Sequence, residues 1–256
     1  MIKRLSIMII MVLTLVLITP VNANAIMFGD KERNESKRPA QATVELSNCT
    51  GVLVKPEWVL TAKHCKIKNN STVRIGLRGT KEKKTVRKVI DNPNVDVSLV
   101  KLSSPSHRAQ PVSIYNTDKK LPVGTKTTAY GWGMTGFIYT WWLRKSQGEI
   151  VDNSPSFGLV PKRQGVTNRL NGWSKIMPGD SGGPLFVNNK LYGIVSGGGL
   201  ANNVKTPFRN SWDFVNNMRA ISTPTETVYS PVNSFTPWMN NICLLYTSDA
   251  ADEGLG

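Results

Sequence analysis

Ser181 is the first residue whose setting suggests chemistry. It lies in the run Gly179–Leu185 (GDSGGPL), where glycines on both sides allow a tight turn that leaves the serine oxygen exposed. A serine hydroxyl is a weak nucleophile at its own pKa and needs a base within hydrogen-bond reach. The run therefore predicts a nucleophilic serine, provided that the chain supplies a base.

The chain has 2 histidines that could act as this base. His64 ends the apolar run Val59–Cys65, whereas His107 lies beside an arginine in the polar loop Ser104–Arg108, a setting typical of a solvated surface group. Considered alone, His64 is best explained as a core histidine bonded to a carbonyl. The serine run makes His64 the preferred base.

A histidine base needs a carboxylate on its other ring nitrogen, which fixes the tautomer and stabilises the imidazolium that forms. Asp96 is the candidate, because it directly precedes the apolar run Val97–Leu102. An isolated acid at such a place usually caps a strand. Histidine, aspartate and serine windows in this chain order together predict acyl transfer through a hydrogen-bonded triad.

The elements that must position these residues are strands. Short runs rich in Val, Ile, Thr, Leu and Trp alternate with Gly, Pro, Asn and Lys, which predicts an all-β sandwich or barrel. Helix is expected only at Ser211–Ala220 and Phe235–Ile242. The polar stretch Lys119–Pro122 marks a boundary between two β units, and the poorly patterned span Gly197–Glu226 is expected to be a functional or mobile loop. The predicted strands are Ala42–Leu46, Gly51–Val54, Trp58–Thr61, Thr72–Leu77, Val97–Leu102, Thr127–Tyr130, Pro184–Val187 and Leu191–Val195.

The two ends of the chain are expected to lie outside this globule. Lys3 and Arg4 precede the apolar run Leu5–Ile18, and small residues follow, which predicts a secretory signal cleaved after Ala25; an uncleaved membrane anchor is the alternative. The protein is thus expected to be secreted, either extracellular or periplasmic. The stretch Cys243–Glu253 resembles a translated sequencing adapter, so residues 243–256 are set aside as a non-native tail.

The composition of the 256 residues, 40% of them hydrophobic, excludes a disordered protein. The chain carries 32 Lys and Arg against 17 Asp and Glu, a formal charge of +15, which becomes +16 without the two basic residues of the signal and the three acidic residues of the tail. This excess favours loose contact with anionic surfaces, but no nucleic-acid motif accompanies it. Two histidines and two native cysteines leave few metal ligands, so no metal is expected, and calcium held by loop carbonyls would leave no sequence signal.

These windows resemble the chymotrypsin/trypsin-like serine proteases, and the secreted bacterial-type members in particular. Val59–Cys65, Asn94–Leu102 and Gly179–Leu185 match the histidine, aspartate and serine motifs, with support from Tyr130–Gly133 and Tyr192–Ser196. The resemblance implies two packed six-stranded antiparallel β-barrels, about 26–120 and 121–234, a terminal helix at 235–242, and the site in the cleft between the barrels. It also implies a monomer without cofactor that acts on polypeptides, with neither nucleic-acid binding nor stable membrane insertion after signal cleavage.

The cysteines and the site carry further implications of this resemblance. Cys49 and Cys65, which most plausibly pair in an exported chain, match the disulfide that braces the histidine loop. The backbone N–H groups of Gly179 and Ser181 would form the oxyanion hole. Ser196 would lie behind Asp96, and the backbone of Ser196 and Gly198 would bind an extended substrate strand.

The resemblance also implies how the enzyme becomes active. A newly freed N-terminal ammonium on Ile26 would pair with Asp180, so signal cleavage itself would give active enzyme without a propeptide. The alternative is that Asp180 only caps its own turn and that cleavage occurs elsewhere.

The sequence departs from the family pattern around the specificity pocket. Lys175 stands at the base of the pocket, which disfavours cleavage after Arg or Lys, while Glu226 and Thr227 fall near its far wall. Lys175 either pairs with Glu226 and leaves an apolar pocket, or attracts an acidic side chain, which we slightly favour. Gly197 replaces a tryptophan and makes the outer subsites shallower, and Lys63 beside the histidine is expected to extend to solvent.

Two rival interpretations remain at this point. One is a catalytically silent, protease-like module whose basic surface binds anionic polymers. The other is a structural exported β-barrel protein.

Overall fold

A computed structural model describes residues 26–34, 38–77, 79, 81–135, 138–139, 141–153, 165–172, 174–198 and 226–252. The predicted helix Ser211–Ala220 and most of the span 197–226 lie outside these residues. No helix within the described part is long and apolar enough to cross a membrane.

Six antiparallel strands form a first closed barrel in the order β2-β3-β4-β7-β6-β5. The β2–β5 pairing, with Val44 opposite Ile75, closes it. The sequences of β3, β4 and β7 are largely apolar, which agrees with the burial of nearly all of their residues. The strands are β2 Thr43–Glu45, β3 Thr50–Lys55, β4 Trp58–Thr61, β5 Thr72–Ile75, β6 Glu82–Asp91 and β7 Ser98–Leu102.

A second six-stranded barrel follows in the order β8-β11-β12-β15-β14-β13, and pairing of β13 with β8 closes it. The short β1 (Asp30–Lys31) adds to the free edge of β11, and β9 (Met134–Thr135) with β10 (Ile138–Tyr139) forms a small hairpin. The barrel strands are β8 Lys126–Gly131, β11 Arg144–Asp152, β12 Val166–Leu170, β13 Pro184–Val187, β14 Lys190–Gly198 and β15 Glu226–Pro231. The expected two-barrel fold is thus confirmed.

The structure differs from the predicted elements in several strands and in the C-terminal helix. The predicted set lacks the strands β1, β6, β9, β10, β11, β12 and β15. The C-terminal helix spans Thr236–Asp252 and so continues into the stretch that we set aside as a tail. The reason is local, because neither glycine nor proline occurs between Ile242 and Asp252 to end it. Short 3-10 turns lie at Lys63–Cys65 and Val232–Ser234, and a one-turn helix at Arg38–Gln41.

Thr50 joins the two barrels at their junction. Its buried hydroxyl donates to the carbonyl of Gly179 and accepts from the backbone N–H of Trp132, both at 2.9 Å. The indole N–H of Trp132 reaches back to the carbonyl of Thr43 at 3.1 Å. The serine turn of one barrel is therefore hydrogen-bonded to the first strands of the other.

Lys120, in the stretch between the barrels, binds both ends of the chain section that separates β11 from β12. Its ammonium donates to the carbonyl of Asn153 and, at 2.6 Å, to that of Gly165. Asn153 in turn donates its side-chain amide to the carbonyl of Leu121 at 2.8 Å. Burial lowers the pKa of Lys120, and nearby Asp152 opposes this shift.

Candidate active site

Asp96 holds His64 through two hydrogen bonds. The backbone N–H of His64 donates to Oδ1 at 2.9 Å, and Nδ1 of the ring lies 2.7 Å from Oδ2. Asp96 is 6% exposed and His64 is 29% exposed. With Nδ1 on the carboxylate, the ring is fixed in orientation and its other nitrogen is available to a substrate-side group.

The turn that carries His64 follows directly from the end of β4. Lys63–Cys65 form one 3-10 turn, which ends at Lys66 in the left-handed conformation (φ 49°). The disulfide Cys49–Cys65, expected from the sequence, is confirmed and ties this turn to the start of β3. The histidine therefore sits on a short, covalently anchored turn.

Asp96 lies in a loop that Asn92 organises. The Asn92 side-chain oxygen accepts the N–H groups of Asn94 (2.8 Å) and Val95 (3.1 Å), and its carbonyl accepts the ammonium of Lys63 at 3.0 Å. The expectation that Lys63 extends to solvent was therefore wrong, because this carbonyl lies within its reach. Sequence reasoning also missed Asn92, although an asparagine before a proline is a turn signal.

Ser196 reaches Asp96 from the second barrel. Its hydroxyl donates to Oδ2 of Asp96 at 2.5 Å. The register between β14 and β15 shifts at Ser196, and such a bulge turns a side chain away from the regular ladder. Burial by itself raises the pKa of Asp96, but the hydrogen bonds from His64 and Ser196 outweigh it and the pKa lies below its ordinary value.

The turn carrying Ser181 packs directly on the end of β4, just before His64. The carbonyl of Ser181 accepts the N–H of Thr50 at 2.8 Å. Gly182 has a φ of 78°, and a Cβ there would overlap the Thr61 hydroxyl and lie 2.7 Å from the backbone nitrogen of Ala62. Only glycine allows this approach, which places the half-buried Ser181 beside the histidine turn.

The two N–H groups expected to form an oxyanion hole have no backbone acceptor among the described residues. The carbonyl of Pro178 accepts the N–H of Met134 at 2.7 Å, so the opposite side of this peptide, the N–H of Gly179, points away from Met134. Gly179 itself has a φ of 95°. Free donors of this kind can stabilise a developing oxyanion.

Asp180 is fully buried beneath this turn. Its carboxylate accepts the N–H groups of Gly133 (2.8 Å) and Met177 (2.9 Å), and the backbone N–H of Ile26 also hydrogen-bonds to it. Burial raises the pKa of Asp180 to about 7, although these hydrogen bonds oppose the shift. Ile26 is itself completely buried, so the structure brings the two predicted activation residues together.

The predicted pocket residues are only partly brought together. Lys175 is 2% exposed, its N–H donates to the carbonyl of Met27 at 3.0 Å, and burial lowers its pKa. Glu226 does not pair with Lys175; it forms an ion pair with Arg169 at 2.6 Å. The register of β12 and β15 places Glu226 opposite Arg169, which corrects the proposed Lys175–Glu226 pair. Buried Thr227 lies opposite Gly198 of β14.

Other candidate groups lie away from this cluster. His107 is exposed, and its backbone N–H donates to Glu82 at 3.2 Å. Within the described part of the chain, no three His, Cys, Asp or Glu side chains are grouped as metal ligands.

The two-barrel architecture is that of the chymotrypsin-like serine proteases, and comparisons with known proteins agree. The family described as Trypsin matches residues 26–239. Human cathepsin G is 28% identical over 90% of this chain and 92% of its own, and dog anionic trypsin is 30% identical over 70% and 82%. The solved structure of neuropsin, a serine protease expressed in the limbic system of mouse brain, matches with a TM-score of 0.64 at 25% identity, over 85% of this chain and 99% of that one.

The chain therefore belongs to the trypsin family of serine proteases and is a serine endopeptidase that acts on polypeptides. Trypsin-family relatives are mostly secreted. These relatives are animal proteins, so the expectation of a bacterial-type member is not supported.

Proposed function

We propose that this protein is an exported serine endopeptidase in which Ser181 is the nucleophile, His64 the base and Asp96 the group that orients the base. Ser181 Oγ attacks the peptide carbonyl carbon while His64 takes its proton. His64 then gives this proton to the leaving amine, and an acyl-enzyme on Ser181 remains. Water, deprotonated by His64, hydrolyses this ester and regenerates the hydroxyl.

The observation that carries this proposal is the double hydrogen bond from His64 to Asp96, with Ser196 as a third donor. A buried carboxylate with three such partners stays ionised and can stabilise the imidazolium that forms during attack. The packing of Gly182 on the end of β4 supports a serine turn in reach of that imidazole.

The N–H groups of Gly179 and Ser181 have no backbone acceptor in the described part of the chain, which supports their assignment as the oxyanion hole. They come from a turn fixed by Thr50 and Asp180, so they need no reorganisation when charge develops on the substrate oxygen. Loss of one such donor typically lowers kcat about 100- to 1,000-fold.

We also propose that signal cleavage after Ala25 activates the enzyme. Ile26 has a φ of 38°, which is strained for a β-branched residue and which exists only while the peptide bond before it is intact. Cleavage removes that strain and places an ammonium beside the Asp180 carboxylate. A protein with one extra residue before Ile26 should therefore be inactive, and full activity of this form would disprove the activation route.

For substrate preference, we propose weak cleavage after Arg or Lys and a preference for acidic side chains. The support is that Lys175 stands at the base of the pocket, where its positive charge attracts an acidic side chain and repels Arg or Lys. The two alternatives differ in one measurement: a Lys175→Met variant should lose cleavage after Asp and Glu, whereas an apolar pocket predicts little change.

The first test is peptide-library cleavage read by mass spectrometry, using protein that begins at Ile26 and its Ser181→Ala variant. We expect cleavage by the first only, and labelling of Ser181 by an active-site serine reagent. A correctly processed protein that neither cleaves nor reacts would favour the catalytically silent module that binds anionic polymers.

A further inference from the structure

The N-terminal segment, residues 26–34, is held against the start of β11. Strand β1 pairs antiparallel with the first two residues of β11, and beyond it the N–H of Glu32 donates to the carbonyl of Leu143 at 2.9 Å. A Cβ on Gly29 would lie 2.8 Å from the carbonyl oxygen of Lys145. The backbone at Gly29 therefore lies closer to the backbone of β11 than a residue with a Cβ would allow.

Three charged side chains reinforce this contact. Glu32 is 3% exposed, and its Oε2 pairs with the ammonium of Lys145 at 2.8 Å while its Oε1 accepts the N–H of Asn34 at 2.9 Å. Arg144 is also 3% exposed and donates to the carbonyl of Gly29 at 3.1 Å. Burial lowers the pKa of Arg144 to about 10.

Stability alone does not explain the two buried charges, those of Glu32 and Arg144. Removing them from water is costly, and the Nε of Arg144 has no hydrogen-bond partner among the described residues. Apolar side chains of similar volume often serve a core equally well. Arg144 and Lys145 both bind the segment shortly after Ile26, Arg144 through the carbonyl of Gly29 and Lys145 through the side chain of Glu32.

We propose that Glu32, Lys145 and Arg144 form a clasp that holds the freed N-terminus of Ile26 beside the buried carboxylate of Asp180, a place called the Asp180 pocket below. These three residues are then positioning residues, because they act on catalysis by holding this N-terminus in place. The inference rests on the proposed function, because it assigns these residues to the activation pair.

The physical basis is the short tether that the clasp creates. With Gly29 held by Arg144 and the carbonyl of Met27 bonded to the N–H of Lys175, little chain freedom remains to be lost when the ammonium docks. Docking at a short tether has a high effective concentration. Without the clasp, the same ammonium would exchange between the pocket and water.

The direct test measures how accessible the Ile26 α-amine is to reductive methylation, read on the N-terminal peptide by mass spectrometry. Glu32→Gln should raise its labelling rate at least tenfold over the unchanged protein. Lys145→Gln is the second variant if Glu32→Gln folds poorly, because this lysine is 28% exposed. Glu149→Gln is the matched control, since it breaks the exposed Lys126–Glu149 pair on the same strand.

Activity gives the second readout. Docking raises the pKa of the α-amine, so a weakened clasp lowers the pH at which activity is lost on the alkaline side, by about one unit for a tenfold weaker clasp. Asp180, Tyr229, whose phenol feels the charge of Asp180, and Lys175, whose backbone binds Met27, stay unchanged in every variant. Lys145→Arg keeps the ion pair with Glu32 and should therefore give the same pH profile as the unchanged protein.

Equal labelling rates and equal alkaline limbs in Glu32→Gln, Lys145→Gln and Glu149→Gln would overturn the clasp. Failure of the proposed function looks different, because the unchanged protein would then not cleave peptides or react at Ser181. The labelling experiment would still decide whether the segment is held.

Discussion

Two buried carboxyl groups, Asp96 and Asp180, have pKa values shifted in opposite directions by their surroundings. Hydrogen bonds from His64 and Ser196 hold the pKa of Asp96 below its ordinary value despite its burial. The donors to Asp180 among the described residues are backbone N–H groups; the site is fully buried, and burial raises the pKa of Asp180 to about 7. The aspartate side chain therefore stays ionised at Asp96, whereas at Asp180 a nearby cation would be needed to keep it ionised at neutral pH.

Ser196→Ala should lower kcat roughly tenfold, because a hydrogen bond to a charged group contributes about 1.5–3 kcal/mol and this one is needed when the imidazolium forms. KM should change little. Ser98→Ala is the matched control, since Ser98 also donates to an aspartate, Asp91, at 2.5 Å but outside the site. Steady-state kinetics that give equal kcat for the two variants would contradict the assigned role of Ser196.

The Asp180 carboxyl predicts a pH-dependent stability in the unprocessed chain. The pKa of Asp180 is about 7 in the folded chain and about 3.9 in the unfolded chain. The protonated carboxyl therefore adds to the free energy of unfolding in full below pH 4, and this addition is lost as the pH rises through 7. Between pH 5 and 7 this loss is about 2 kcal/mol.

The measurement is urea denaturation of a protein with one residue before Ile26 and of a protein that begins at Ile26. Only the first should lose this stability between pH 5 and 7, because an ammonium keeps the Asp180 carboxylate ionised in the second. Parallel curves for the two proteins would show that the Ile26 amine does not reach Asp180.

At the scale of elements, the turn Gly179–Gly183 functions through its fit to the end of β4. Gly182→Ala combines a positive φ with overlap at the Thr61 hydroxyl, whereas Gly124→Ala has a similar φ of 88° and no atom within 4 Å of the new Cβ. We expect Gly124→Ala to cost about 1–2 kcal/mol with activity retained. Gly182→Ala should cost more and abolish peptide cleavage. Thermal unfolding and kinetics of both variants test this, and equal behaviour would contradict the fit.

The sequence predicts the elements around the candidate site better than those that complete the barrels. The runs that became β3, β4, β7 and β13 are almost entirely buried, so their apolar residues stand out. β6 has only one fully buried residue, Val86, and otherwise carries mostly charged or exposed positions. Its membership of the barrel depends on pairing with β5 and β7, which no local pattern encodes.

Contacts between distant segments at the site are likewise not predictable from local sequence patterns. His64, Asp96 and Ser181 are marked by their own motifs, and the Asn92 turn has a local signal. The Arg169–Glu226 pair follows from strand register, and Thr50 matters only because a distant segment packs on it. Such partners are determined by the assembled fold rather than by neighbours in sequence.

For the whole molecule, the hydroxyl of Thr50 links the junction of the two barrels to the candidate oxyanion turn, because it bonds both Trp132 and Gly179. Thr50→Val removes a hydroxyl that serves Gly179 and Trp132, and each buried group left unpaired costs about 1–3 kcal/mol. Thr50→Ser keeps the hydroxyl and is the control. We expect Thr50→Val to lower both the free energy of unfolding and kcat, measured by urea denaturation and peptide hydrolysis. A loss of stability with unchanged kcat would separate the junction from catalysis.

Lys120 gives the second barrel a place for protein engineering. Its ammonium binds the carbonyls of Asn153 and Gly165, so the chain on either side of residues 154–164 is anchored from outside that section. A peptide inserted between Asn153 and Gly165 would have both of its ends held by Lys120. Each doubling of its length costs only about 0.6 kcal/mol in loop-closure entropy. Affinity tags or recognition peptides could therefore be exchanged here as cassettes.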